Sequence, residues 1–165
     1  QGLLSLYQTT FDLAYAEQAQ VLQEKMIENF WDDQNGGFFS TPKASADLPV
    51  RPKELYDGAI PSANSVALSN LVFLFRLTGD PSWQKRAEAQ IRAFAGTLKS
   101  QPQAFTFFLC ALDFALRPGQ DIITDGLQII EGQATAHVCR NGSCTDSTTD
   151  TQTMVDKIMG KQEHG

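Results

Sequence analysis

Two carboxylates and a phenol lie close together between Arg51 and Asn64, in the stretch RPKELYDGAIPSAN that precedes a predicted helix. Glu54 and Asp57 are three residues apart, so they could face one side of a turn and act as acid and base. A helix start also presents free backbone N–H groups and the positive end of its dipole, which favour an anionic or strongly polar ligand. We therefore predict a pocket at this loop, with Glu54 and Asp57 as its catalytic residues.

Aromatic side chains flank the same loop and could pack against the ring of a sugar or polyol. Together with the polar groups of the loop they form the predicted substrate-binding set: Trp31, Phe38, Arg51, Lys53, Tyr56, Ser62 and Asn64. A structural alternative stays open, in which Glu54 pairs with a neighbouring cation and Asp57 accepts backbone N–H bonds in an Asx turn. The aromatic side chains would then only hold the loop to the helix ends.

Cys139 and Cys144 form a second candidate site. They flank Asn141-Gly142, the strongest two-residue signal for a hairpin turn. If Arg140 and Ser143 close that turn, the cysteines become directly opposed, with Cα atoms about 4.5 Å apart, near the short end of disulfide geometry. A redox pair is therefore a hypothesis, with two free thiols or half of a metal site as the alternatives.

The remaining reactive residue types do not assemble into a site. His137 and His164 are the only histidines and both lie in the C-terminal tail, so no serine, histidine and aspartate triad is suggested. Metal-ligand spacings and phosphate-binding glycine loops are absent from the sequence, and neither a metal nor a cofactor is predicted. Cys110 lies among apolar residues and is predicted to be buried and inert.

Charge and composition narrow the partners. The 165 residues carry 13 Lys and Arg against 19 Asp and Glu, for a net charge of −6 without long runs of one sign. Neither nucleic acid nor an anionic membrane is therefore an expected partner. The longest apolar run, Leu71 to Phe75, is far too short to span a bilayer, and three cysteines do not make a secreted disulfide framework. These features predict a soluble, cytoplasmic protein.

Helical periodicity dominates residues 1–118. Beyond an opening segment that resembles the end of a helix, it predicts helices over about 13–31, 62–78, 81–98 and 102–118. Asp12 and Asp80-Pro81 are predicted helix starts, and Gly79 a helix end. Residues 31–61 are a long connection in which 36–41 and 48–51 suit the arms of a hairpin. The tail, 119–165, is predicted to be small and irregular, with β segments at 121–124 and 134–139 and a weak helix over 151–159.

The helical region contains an internal repeat. Seven residues recur 68 positions later as identical or similar residues: Leu3, Leu6, Tyr7, Thr10, Asp12, Tyr15 and Ala19 match Leu71, Leu74, Phe75, Thr78, Asp80, Trp83 and Ala87. Helix-pair repeats bury their apolar faces only by stacking on neighbours. We therefore predict an all-α array of antiparallel helix hairpins whose first pair needs a partner.

Several short motifs together resemble the C-terminal region of the thioredoxin-domain-containing, spermatogenesis-associated protein family. The resemblance rests on Phe30-Trp31-Asp32 with Gly36-Gly37-Phe38-Phe39, Val50-Arg51-Pro52-Lys53-Glu54 with Tyr56-Asp57-Gly58, Pro61-Ser62-Ala63-Asn64-Ser65, Leu77-Thr78-Gly79-Asp80-Pro81, and Ala134-Thr135-Ala136 with the two cysteines. It implies an (α/α)6 toroid like the six-hairpin glycosidases and N-acylglucosamine 2-epimerases, with a thioredoxin-like domain upstream. This chain would be the C-terminal part of that toroid.

The leading functional hypothesis is a sugar or polyol pocket beside the Arg51–Asn64 loop. On this hypothesis the pocket is part of a carbohydrate-active or epimerase-like enzyme, which becomes active only when the remaining toroid helices complete the pocket. The expected partners are a small carbohydrate and the rest of the same polypeptide, or a second copy covering the open face. Two alternatives remain: a redox-linked protein in which Cys139 and Cys144 work with the thioredoxin-like domain, and a non-catalytic scaffold.

Overall fold

The computed structural model describes residues 1–45, 50–117, 120–130, 133–140, 143–144, 150 and 152–153, and in the strands it describes the backbone alone. The chain divides into two compact units, Gln1–Leu116 and Arg117–Gly165. Each unit is considered by itself.

The first unit is helical, which confirms the predicted all-α class. Its elements are α1 (Gly2–Thr10), α2 (Leu13–Phe30), α3 (Ala63–Thr78), α4 (Pro81–Ser100), a 3-10 turn (Pro102–Ala104) and α5 (Thr106–Leu116). The last helix begins later than predicted because the proline-led segment forms the 3-10 turn first. The other helix limits lie within about two residues of the predicted ones, as expected where capping signals are strong.

The 68-residue repeat recurs in the geometry of two helix-connecting turns. In each turn a threonine, Thr10 or Thr78, donates its hydroxyl to the carbonyl four residues earlier at 2.8 Å. The same hydroxyl accepts the backbone N–H of Asp12 or Asp80 at 3.2 Å. Each aspartate then caps the next helix by accepting an N–H bond two residues ahead, at 3.0 and 2.8 Å. The predicted N-caps are thus confirmed.

The residue between threonine and aspartate adopts a left-handed conformation in both turns. Gly79 has φ 69° and Phe11 has φ 57°. Phe11 is the one non-glycine residue with positive φ in the described part of the chain. The shared hydrogen bonds therefore impose this conformation even where a bulky side chain makes it costly.

The core of the first unit lies around α3, which packs against α4 and α5. Leu68, Leu71 and Leu74 on α3 are fully buried, and Phe94 and Phe108 meet edge to face with ring centroids 5.8 Å apart. The first helix pair is less well covered. Its exposed large apolar residues are Leu6, Phe11, Leu13, Val21 and Leu22, each at least 40% exposed.

The connection between α2 and α3 folds back on itself at once. Trp31 and Phe38 form an antiparallel bridge that encloses a tight turn, and their rings meet edge to face at 5.0 Å. The predicted hairpin between 36–41 and 48–51 falls partly on residues 46–49, which lie outside the described part. Nearby, the backbone N–H of Ser40 donates to the carbonyl of Pro52 at 2.8 Å.

The second unit contains three antiparallel strands in the order β1 (Gln120–Ile130), β2 (Gln133–Arg140) and β3 (Ser143–Cys144). The first two are longer than the predicted β segments. Cys139 pairs with Cys144 across β2 and β3, which is the predicted register. Apart from residues 152–153, the predicted final helix over 151–159 lies outside the described residues.

The prediction that Cys110 is buried is wrong, since the side chain is exposed. Helix α5 buries the face that carries Phe108 and Ala111. Two residues beyond Phe108 correspond to a rotation of about 200° around the helix, which turns Cys110 away from the core. The apolar composition of this segment hid that periodicity.

The described part of the chain contains neither a membrane-spanning helix nor a cluster of metal-ligating side chains. None of its helices combines the length and apolar composition that crossing a bilayer requires. Its side chains also contain no group of three or more His, Cys, Asp or Glu residues suited to a metal ion.

Candidate functional site

Asp32 organises the turn that follows α2. One carboxylate oxygen accepts the backbone N–H groups of Gln34 and Asn35 at 2.9 and 3.2 Å. The backbone of Asp32 exchanges further bonds with Gly36 and Gly37, each at 2.9 Å. Both glycines have positive φ, which lets the chain reverse within six residues. The turn is therefore built around a carboxylate.

Lys53 fastens this turn to the predicted pocket loop. Its Nζ donates to Asp32 Oδ2 and to the carbonyl of Gly36, both at 2.6 Å, and both side chains of the ion pair are largely buried. Burial by itself raises the pKa of Asp32. The bonds from Lys53 and from the N–H groups of the turn outweigh that effect and hold the pKa well below its ordinary range. Asp32 is thus a charged structural brace.

Asn64 forms the second brace, at the start of α3. Its amide oxygen accepts the Phe38 N–H at 2.8 Å, and its amide nitrogen donates to the carbonyls of Phe38 and Glu54 at 2.9 and 2.7 Å. Gln90 on α4 donates to the Asn64 carbonyl at 2.7 Å. Asn64 is 2% exposed and Gln90 is fully buried. Asn64 is therefore committed to joining both ends of the loop to the helices.

Asp57 caps two chain segments at once. One oxygen accepts the N–H of Ser62 at 2.8 Å, and the other accepts the N–H groups of Phe107 and Phe108 at 2.9 and 3.0 Å. Its own N–H donates to the carbonyl of Ala104 at 2.9 Å. The structural alternative for Asp57 is an Asx turn, in which its carboxylate bonds to the next backbone N–H groups. The carboxylate bonds instead to residues farther along the chain, and it caps the first turn of α5.

Glu54 and Tyr56 differ from these neighbours because both side chains are exposed. The Glu54 carboxylate has no hydrogen bond or ion pair among the described residues. Tyr56 is 62% exposed, and its ring lies so close to Gly58 that a Cβ there would be 2.9 Å from Cε1. Val50 and Ile60 are also exposed, at 75% and 78%. The loop therefore exposes one unpaired carboxylate and three large apolar or aromatic side chains.

Arg51 is held by residues that lie earlier in the same connection between α2 and α3. Its guanidinium lies 4.0 Å from the centre of the Phe39 ring and donates to the carbonyl of Thr41 at 2.5 Å. The Nζ of Lys53 lies 4.9 Å from the centre of the same ring. The alternative in which Glu54 pairs with Arg51 or Lys53 is therefore not what the structure contains, because both cations have other partners.

The predicted site residues thus fall into two groups. Glu54 and Tyr56 are exposed. The others are buried or half-buried: Trp31, Phe38, Arg51, Lys53, Asp57, Ser62 and Asn64. Their hydrogen bonds and packing connect the loop to the helices, and their roles in substrate binding remain predictions. For Cys139 and Cys144 the structure provides the backbone pairing described above.

A cleft that the sequence did not predict lies between the Asp32 turn and α4. Its volume is about 630 Å³, and its walls are formed by Trp31 to Gly36 on one side and by one stripe of α4 on the other. The cations on that stripe are Lys85, Arg86 and Arg92. Their spacing of one, six and seven residues places them on one helical face, but such a pattern is usually only a solvated surface.

No protein-family model matches the chain. Individual proteins do. Human spermatogenesis-associated protein 20 is 31% identical over an alignment 195 positions long, which covers 91% of this chain and 25% of the human protein. The proteins of the same name from rat and mouse are 35% and 39% identical, over 76% and 63% of this chain.

These alignments cover 16% of the rat protein and 13% of the mouse protein, so the chain spans a quarter or less of each relative's length. The long human alignment runs through both the helical unit and part of the strand-containing tail, since 91% of the chain exceeds the helical unit alone. The chain is therefore homologous to a part of spermatogenesis-associated protein 20.

Proposed function

We propose that this chain forms one wall of a sugar or polyol pocket whose other walls come from further helix pairs of an (α/α)6 toroid. The observation that carries the proposal is the unpaired, exposed carboxylate of Glu54, two residues before the exposed Tyr56 on a loop that Asn64 and Asp57 bond to the helices. An exposed carboxylate and an aromatic ring are the two groups that a hydroxyl-bearing ring needs, one for hydrogen bonding and one for packing.

The supporting structure is rigid where a site requires it. Asn64 holds the carbonyl of Glu54, and Asp57 ties the following segment to α5. Binding and catalytic groups work best when their positions are fixed by such surrounding bonds. Glu54 is accordingly the candidate acid or base that exchanges a proton with the substrate, and Asp57 is a positioning residue, which refines the initial pairing of the two as equals.

The toroid part of the proposal is supported by the repeat. Leu74 is fully buried, whereas its counterpart Leu6 is 45% exposed. The helix pair α1–α2 therefore has an apolar face that a further pair of the same kind would cover, as stacking repeats require. The homology to a protein several times longer is consistent with such additional pairs. A cytoplasmic location belongs to the same proposal.

The test uses the full-length gene product, titrated with a panel of mono- and disaccharides and polyols by saturation-transfer NMR. Glu54→Gln keeps the size of the side chain and removes its charge. It is expected to lower binding or turnover by about tenfold or more, because a charge-assisted bond to a hydroxyl is lost. Glu17→Gln, on an exposed position of α2, is the matched control and is expected to have no effect.

Gly58→Ala gives a second, independent variant. The added methyl group would displace the Tyr56 ring while leaving the carboxylate intact. Ligand binding that is unaffected by both Glu54→Gln and Gly58→Ala, or a panel without any ligand, would remove the pocket and leave the non-catalytic scaffold as the better account.

A redox role is the second candidate, and the register of β2 and β3 favours it. Cys139 and Cys144 are direct partners across the two strands. Their two thiols would give two electrons and two protons to the disulfide of a thioredoxin-like domain, forming one disulfide here and two thiols there. Thiol titration of the full-length product under oxidising conditions decides it, since two freely reacting thiols at these positions would exclude the pair.

A further inference from the structure

The cleft between the Asp32 turn and α4 concentrates positive charge in an acidic chain. Lys85, Arg86 and Arg92 line it from α4, although the chain as a whole carries a net charge of −6. A volume of about 630 Å³ lies within the range of small-molecule sites.

The acidic groups on the opposite wall have cationic partners that do not come from α4. Asp32 is paired with Lys53 at 2.6 Å and also accepts bonds from the N–H groups of its own turn. Asp33 is paired with Lys43 at 2.9 Å. The buried Asp32 is therefore neutralised by Lys53, and the exposed Asp33 forms its ion pair with Lys43, so neither carboxylate is paired with a cation of α4.

The cations of α4 have weak partners by comparison. Arg86 donates to the carbonyl of Ser82 at 3.3 Å and interacts through space with the exposed Asp80. Arg92 is 3.7 Å from Glu88, an exposed pair that contributes little. Lys85 is exposed, and its ammonium group makes no hydrogen bond or ion pair with any other described residue. All three can therefore turn toward an anion at small cost.

Small residues create the space between the two walls. Gly36 approaches α4 so closely that a Cβ at this position would lie 2.7 Å from the carbonyl oxygen of Ala89. Ala89 and Ala93 form part of the lining on the helix side. The two walls therefore meet closely at Gly36, and the short side chains of Ala89 and Ala93 leave space beside that contact.

From these features we infer that the cleft binds a small phosphate ester. A phosphate carries between one and two negative charges at neutral pH and presents three acceptor oxygens, which suit two guanidinium groups and an ammonium. The exposed amide of Gln34 on the other wall can bond to hydroxyl groups of the esterified part, whereas the amide nitrogen of Asn35 already donates to Asp32 at 3.2 Å. This site is separate from the Glu54 loop and does not depend on the proposed pocket there.

The experiment is isothermal titration calorimetry of the full-length gene product with glucose 6-phosphate, inorganic phosphate and glucose. The ester is expected to bind, inorganic phosphate to bind more weakly, and glucose not to bind through this cleft. Affinity for the ester should fall as salt is added, because exposed charges are screened. If inorganic phosphate binds as tightly as the ester, the site takes free phosphate instead and the ester assignment is wrong.

The variants locate the binding. The double variant Arg86→Gln, Arg92→Gln is expected to weaken ester binding by about tenfold or more. The single variant Lys85→Gln is expected to weaken it by a smaller factor, because the Lys85 side chain is exposed. Lys99→Gln removes the same charge from the end of the same helix, outside the cleft, and should change nothing. The inference is overturned if the ester does not bind, or if it binds equally well to the Arg86→Gln, Arg92→Gln variant and to the unchanged protein.

Discussion

The helix pairs α1–α2 and α3–α4 are joined by the same turn but differ in how they are buried. Thr10 and Thr78 make the same bonds at the same distances. Leu6 is nevertheless 45% exposed and its counterpart Leu74 is 0% exposed. The difference shows that the turn is determined by local hydrogen bonds, whereas burial is determined by what packs against the pair.

The second pair has two neighbours that the first lacks. Helix α5 packs against α3. The loop from Trp31 onward is bonded to Asn64 on α3 and lies close to Ala89 on α4 at Gly36. At the position of Gln90 the first pair carries Leu22, which is 57% exposed. The loop that carries the candidate site is therefore a specific addition to the second pair.

The largest effect is expected from removing the bond between that loop and the second pair. Asn64→Ala should lower the free energy of unfolding by about 4 kcal/mol, because buried N–H and C=O groups of the loop lose their partner. Urea denaturation measures this. Asn29→Ala, at an exposed amide on α2, is the control and should cost less than about 0.5 kcal/mol. Similar costs for the two would mean that the loop is not held through Asn64.

Truncating the equivalent leucines tests the contrast in burial directly. Leu74→Ala should cost about 3 kcal/mol, since it removes a fully buried side chain and leaves a cavity. Leu6→Ala should cost less than about 1 kcal/mol in this chain, because the side chain is partly in water already. Paired urea curves compare them. If the Leu6 variant lost as much stability as the Leu74 variant, the Leu6 side chain would have to be buried against another part of the protein or a second copy, and the contrast in burial would be wrong.

As the pH falls, the attachment of the loop to the second helix pair should lose stability before the helices do. The pKa of Asp32 in the folded protein lies below its ordinary value, so its stabilising charge is present above roughly pH 4 and is lost as the pH falls further. Asp32→Asn should cost about 2 kcal/mol at neutral pH, with the difference from the unchanged protein shrinking below roughly pH 4. Denaturation curves at several pH values measure it.

Asp33→Asn is the matched control for that experiment. Its ion pair with Lys43 is exposed, with 70% of the Asp33 side chain accessible. Its loss should change stability by less than about 0.5 kcal/mol at any pH. A cost for Asp32→Asn that does not vary with pH would contradict the role given to its charge.

The smallest effect concerns the residue that distinguishes the two turns. No atom lies within 4 Å of a Cβ built on Gly79, so Gly79→Ala tests the left-handed conformation alone and should cost about 1 kcal/mol. Phe11→Gly relieves the same strain in the first turn but adds backbone entropy to the unfolded chain. It is therefore expected to raise the stability by less than Gly79→Ala lowers it. Thermal unfolding compares the two. A neutral Gly79→Ala would show that the turn does not select for glycine.

The sequence predicted those parts of the fold that depend on neighbouring residues. Asp12, Asp80 and Gly79 act within a few positions along the chain, so their capping roles could be inferred directly and are confirmed. The positive φ of Phe11 could have been inferred too, because the repeat aligns it with Gly79. The weak apolar periodicity of α5 led to the wrong expectation for Cys110.

The candidate site was predictable as a region but not in the roles of its members. Asp57 bonds to backbone groups some fifty residues away, and Lys53 bonds to the carboxylate of Asp32, 21 residues earlier. Spacing along the chain carries no information about such partners. A polar residue at a helix start, such as Asn64, gives the same signal whether it faces a ligand or a buried backbone.

The double cap formed by Asp57 has a consequence for how this unit folds. The contacts with Phe107 and Phe108 close a segment of fifty residues, and such closure carries an entropic cost before any stabilisation is gained. The first turn of α5 therefore lacks its cap until the loop has docked, whereas the turns before α2 and α4 are capped locally. Folding should consequently proceed from the two locally capped hairpins to the loop, with the start of α5 the last part to become protected from hydrogen exchange and the first to lose that protection on unfolding.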